Sequence, residues 1–111
     1  MARFLVMYNS PISAAEQMEM SSPEEMKAGM DRWMEWGAKV GPALVDFGLP
    51  LGDSNRVEGG STSPGASQAT GYSIIEADSL EAATKLLEDH PHLHQPDGWI
   101  DVFETLPAPG M

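Results

Sequence analysis

Two short runs of this chain are apolar on both alternating faces. In residues 2–8, Phe4, Val6 and Tyr8 fall on one face of an extended strand, and Leu5 and Met7 on the other. Residues 72–77 repeat the pattern, with Tyr72 and Ile74 opposite Ile75 and Ala77. A strand of that kind is covered on both sides. Between the runs the period changes. Ser22-Pro23-Glu24-Glu25 is a helix start, with Ser22 as cap, Pro23 in the first turn and Glu25 closing a capping box. Met26, Met30, Trp33, Gly37 and Val40 then follow at helical spacing, widened by Met34 and Trp36. Gly41-Pro42 should kink or split this helix, and Ala43, Leu44, Val45 and Phe47 carry its apolar character to a C-terminal cap at Gly48. Residues 9–21 read as a connecting loop with a short helical turn.

The rest of the chain completes a repeat of strand, helix, strand. Residues 49–57 predict a second strand, and residues 58–71, small and polar, a long flexible hairpin loop. Asp78-Ser79-Leu80-Glu81 starts a second helix whose buried stripe is Leu80, Ala83, Leu86 and Leu87, and which must stop before Pro91. Trp99 to Leu106 is the last strand, ended by Pro107. The order βαββαβ predicts an α+β, ferredoxin-like domain over residues 1–111, a four-stranded antiparallel sheet with two helices on one face. The other face still carries apolar residues, so a second copy of the sheet is the economical cover. The expectation is a homodimer of dimeric α/β barrel type.

Composition narrows the partners. Six Lys+Arg against 17 Asp+Glu give a net charge of −11. Nucleic acid and anionic membrane surfaces both require clustered cations, which are missing. The acidity reads as solubility and self-repulsion. No cysteine is present, which excludes disulfides, thiolate chemistry and Cys-based metal sites. The first residues lack the basic and long apolar regions of a signal peptide, and no segment approaches membrane-spanning length. The expectation is a soluble, cytoplasmic protein.

The landmarks resemble those of the YCII-related (YciI-like) family of the dimeric α/β barrel superfamily. They run from the strand ending in Met7-Tyr8, through the helix carrying Trp33, to Ala43-Leu44-Val45-Asp46-Phe47-Gly48-Leu49-Pro50-Leu51. The Gly-rich hairpin, Gly71-Tyr72-Ser73-Ile74-Ile75-Glu76-Ala77, the helix from Ser79 to Asp89, His90-Pro91 and Ile100-Asp101-Val102-Phe103-Glu104 follow. The resemblance covers nearly the whole chain. It implies a homodimer with a pocket near the helix ends, and lyase- or dehydrochlorinase-like chemistry on a His–Asp dyad. In YciI-like members the His is on the first helix and the Asp precedes the proline after the second. Here the resemblance puts Asp31 on the helix and His90 before Pro91, an exchanged pair.

The residues themselves leave several readings open. His90-Pro91-His92-Leu93-His94 holds every histidine of the chain. Histidine titrates near neutral pH, so His90 oriented by Asp31 suits acid–base work. Equally, His90 suits a structural cap at the end of the second helix. A third reading is metal binding by His90, His92 and His94 in an extended segment, with Asp89 or Asp97; no metal is favoured. Trp33, Met34, Tyr72 and Trp99 are candidate walls of a pocket for a flat apolar or aromatic ligand, or else core and dimer interface. Asp101 points into that pocket or pairs with Arg3 or Arg32. Two functions follow. One is a cofactor-independent lyase- or hydrolase-like enzyme acting through His90 and Asp31. The other is a non-catalytic dimeric small-molecule-binding protein.

Overall fold

The computed structural model describes residues 1–110. The chain runs β1 (Ala2–Asn9), α1 (Ala14–Met20), α2 (Pro23–Val40), β2 (Leu44–Asp46), β3 (Asn55–Glu58), β4 (Ser61–Pro64), β5 (Ala69–Ala77), α3 (Leu80–Lys85) and β6 (Trp99–Glu104). Single 3₁₀ turns at Gly41–Ala43 and Pro91–His94 punctuate it. Four strands form one sheet in the order β2-β5-β1-β6, with every neighbouring pair antiparallel. The α+β architecture, with α2 between β1 and β2 and α3 between β5 and β6, is compatible with a ferredoxin-like fold.

Alternation along the central strands decides which face is inside. Phe4, Val6 and Tyr8 of β1 and Ile75 and Ala77 of β5 pack under Trp36 and Val40 of α2 and Ala83 and Leu87 of α3. Side chains as completely buried as Phe4 and Ile75 contribute about 1.5–3 kcal/mol each. The opposite face carries Leu5, Met7, Tyr72 and Ile74, which remain half-buried, and Phe103, which is exposed. The pairs Leu5–Phe103, Leu5–Ile74 and Met7–Tyr72 are in direct cross-strand register there. Among the described residues, α2 and α3 pack on the other side, and no helix covers this face.

Helix α2 begins as the sequence requires. The Ser22 hydroxyl accepts the Glu25 amide, and the Glu25 carboxylate accepts the Ser22 amide, each at 3.1 Å. The helix stops at Val40, because Gly41 turns to φ 64° and donates its amide to Gly37.

Beyond that point the sequence expectation needs correcting. Leu44–Asp46 is not a continuation of the helix; it is the second strand of the sheet, paired with β5. Gly48 is accordingly no helix cap. Its φ is 82°, and a Cβ there would lie 1.6 Å from the Tyr72 carbonyl oxygen, so only glycine allows the chain to cross β5 this closely. Residues 49–57 do not supply a strand of the four-stranded sheet; Asn55–Glu58 pairs with Ser61–Pro64 in a separate two-stranded hairpin that runs into the polar segment. The short helical turn expected within residues 9–21 is α1, which runs to seven residues although none of them is buried.

Candidate binding pocket

A cavity of about 450 Å³ opens between α1, the first half of α2 and the segment that crosses β5. Each wall has a distinct cause. Ser13 caps α1 by accepting the Glu16 amide, and this helix presents Gln17 and Met18. Helix α2 presents Met26, Met30 and Trp33, one face at helical spacing. Phe47 to Pro50 forms the third wall. It is held by a buried relay in which the Tyr8 hydroxyl donates to Ser73 Oγ at 2.9 Å and Ser73 donates to the Phe47 carbonyl at 2.6 Å. Burial pushes the Tyr8 hydroxyl up to about 12, partly offset by the Ser73 bond, so the relay stays protonated at neutral pH.

The floor is aromatic. Trp33 meets Tyr8 edge-on, with ring centroids 4.7 Å apart, and lies 6.2 Å from Phe47. Gly29 also borders the cavity, and apart from its chain neighbours and the helix's own backbone no atom lies within 4 Å of where its Cβ would be. A glycine inside a helix costs about 1 kcal/mol relative to alanine. Here it leaves bare backbone where a side chain would occupy the pocket.

His90 sits beneath this floor. His90 is completely buried among Tyr8, Trp33 and Trp36, with centroids 4.7, 4.4 and 4.4 Å away. Its Nδ1 accepts the His92 amide at 2.9 Å, so it caps the following 3₁₀ turn, not the end of α3. A neutral ring that accepts at Nδ1 carries its proton on Nε2, and that atom has no hydrogen-bond partner. Burial, reinforced by the neighbouring His92, drives the His90 imidazole down to about 3. A base that weak removes few protons at neutral pH. His92, nearly as buried, donates from Nε2 to the Asn9 carbonyl at 2.8 Å and borders the cavity. Burial lowers it too, against the pull of the Asn9 and Trp99 backbone.

The structure does not join Asp31 to His90. Asp31 is exposed on α2, and neither His90 nitrogen bonds to it. The reason is helical geometry. Trp33 and Trp36 face His90, and Asp31, two residues before Trp33, is turned some 200° away. The three histidines do not converge either. The 3₁₀ turn breaks the extended alternation, His94 is exposed, and among the described residues no group of three or more His, Asp or Glu is arranged to hold a metal.

Of the expected pocket residues, Trp33 and Tyr72 border the cavity. Met34, Trp99 and Asp101 do not. Met34 is exposed on another side of α2, and Trp99 and Asp101 belong to β6, on the face away from the helices. Asp101 pairs with neither arginine named for it; it accepts from Asn9 Nδ2 at 3.1 Å. Arg3 pairs with Glu76 instead. Met18, Gly29 and Arg32 line the pocket, and the Tyr8–Ser73–Phe47 relay holds one of its walls, although sequence reasoning did not place them there. The readable signal was Gly29, an isolated glycine in a strong helical pattern. No helix of the described residues is long and apolar enough to cross a membrane. No model of a known protein family matches the chain, and no curated protein matches it.

Proposed function

We propose that this protein is a dimeric binder of small apolar or aromatic molecules, with the Met18–Met26–Met30–Trp33 cavity as its site. One observation carries the reading: a volume of about 450 Å³, within the range of small-molecule sites, whose helix wall is left open by Gly29. Methionines adapt their shape to a ligand, and the Trp33 and Phe47 rings offer flat surfaces. The YCII-related, dimeric α/β barrel assignment belongs to the same proposal. Its support is the strand order together with the uncovered apolar face of Leu5, Met7, Tyr72, Ile74 and Phe103, onto which a second sheet would pack. The catalytic version, with His90 and Asp31 as the working pair, has less support, because His90 is sealed from the cavity and neutral.

The test is a titration of the dimer with 2-naphthalenemethanol, a neutral flat probe, followed by tryptophan fluorescence. Saturable quenching that Gly29→Leu abolishes is the expected result. Quenching that is unsaturable, or unchanged in Gly29→Leu, would refute the pocket. Light scattering at micromolar concentration tests the dimer, and a monomer would refute that part.

A further inference from the structure

Resting on the pocket reading above, we infer that the ligand is an aromatic monocarboxylate, with its apolar ring among the methionines and its carboxylate on Arg32. Among the described residues, Arg32 is the single cation that borders the cavity, and it makes no ion pair. The other arginines, Arg3 and Arg56, are both occupied, by Glu76 and Glu58. An uncommitted guanidinium next to an apolar cavity offers a fork of donors matched to one carboxylate.

The remaining polar groups of the site fix the orientation. Among the described residues, Glu25 is the one carboxylate at the cavity, and it is already bound to the Ser22 amide at 3.1 Å. That bond holds its carboxyl below the usual range, so it is ionised at neutral pH. Seven residues separate Glu25 from Arg32, two helical turns or about 10 Å. The cavity is therefore negative at one end and positive at the other, with Gly29 between them. A planar acid fits with its carboxylate at the Arg32 end, beside Trp33, and its ring over Gly29. A dianion such as a phosphate monoester fits poorly. One guanidinium does not neutralise it, and Glu25 and the net charge of −11 both oppose it.

The experiment compares three probes on the full chain by isothermal titration calorimetry: 2-naphthoate, the neutral 2-naphthalenemethanol, and 2-naphthyl phosphate. The expected result is 2-naphthoate about tenfold tighter than the alcohol, roughly 1.4 kcal/mol, with the phosphate weaker than the carboxylate. Arg32→Gln should remove the tenfold preference, bringing the ratio of the two affinities to about one, and a circular dichroism spectrum and urea midpoint like those of the wild type show that the variant is folded. Arg32→Lys should restore part of it. If the alcohol binds and the carboxylate has no advantage, or keeps it in Arg32→Gln, the carboxylate inference is overturned and the pocket stands. If the phosphate binds tightest, the ligand class is overturned. If no probe binds, the pocket reading falls, and this inference with it.

Discussion

Lowering the pH from 7 to 5 should destabilise this protein through a residue that makes no ion pair. His90 is sealed among three aromatic rings with its Nε2 unpartnered, and its folded pKa is about 3 against an ordinary 6.5. The unfolded chain therefore takes up a proton near pH 6.5 that the folded chain refuses until about pH 3. Stability is fully present above pH 6.5 and falls by up to about 1.4 kcal/mol for each pH unit below it. Between pH 7 and pH 5 the loss from His90 is about 2 kcal/mol at most. Burial is the largest influence on His90; among its charged neighbours, His92 and His94 also push its pKa down, while Asp89 pulls it up. His92, also lowered by burial, adds a loss of the same sign. The lowered carboxylates Glu25 and Asp89 start from 4.5 and 3.8, so their own stabilisation is lost only below this window. The assay is urea unfolding at pH 7 and pH 5 in wild type and His90→Asn, whose amide oxygen can still accept the His92 amide. The wild type should lose more stability across the interval than the variant. Equal losses would refute the buried, neutral His90.

Further substitutions test the scaffold. Ser73→Ala leaves the Tyr8 hydroxyl and the Phe47 carbonyl without their shared partner, and should cost about 1–3 kcal/mol in urea unfolding. Gly29→Ala should raise the unfolding midpoint by an amount corresponding to about 1 kcal/mol while weakening probe binding, a trade of stability against function measured on one variant. Ile74→Asp places a charge at the centre of the uncovered sheet face. It should give a monomer by light scattering with the helix-side core intact by circular dichroism.

Much of the fold was legible because the strongest signals were local. The capping box at Ser22 and the alternation of Phe4, Val6 and Tyr8 are rules that no distant contact overrides. What the sequence hid was context-dependent. Leu44–Asp46 is only three residues long and follows a helix without a polar break, so its apolar side chains read as more helix. The β3–β4 hairpin is exposed at every position, so no hydrophobic period marks it.

The site was less readable. Trp33 was found because aromatic residues on an amphipathic helix must face something. The Asp31–His90 pair was carried by position in the chain, and a difference of two residues on a helix reverses the direction of a side chain. The role of His90 depended on burial, which a single sequence does not print. Pro91 starts a 3₁₀ turn where the metal-binding reading required an extended segment, and His90 and His92 are both buried.

The most direct test of the pocket is a methyl NMR titration of methionine-labelled protein with 2-naphthoate. Met18, Met26 and Met30 line the cavity, whereas Met1, Met7 and Met34 lie outside it. The expected result is saturable shifts at Met18, Met26 and Met30, with Met1, Met7 and Met34 unmoved. Shifts confined to Met7 or Met34, or none at the three cavity methionines, would contradict a ligand site between α1 and α2.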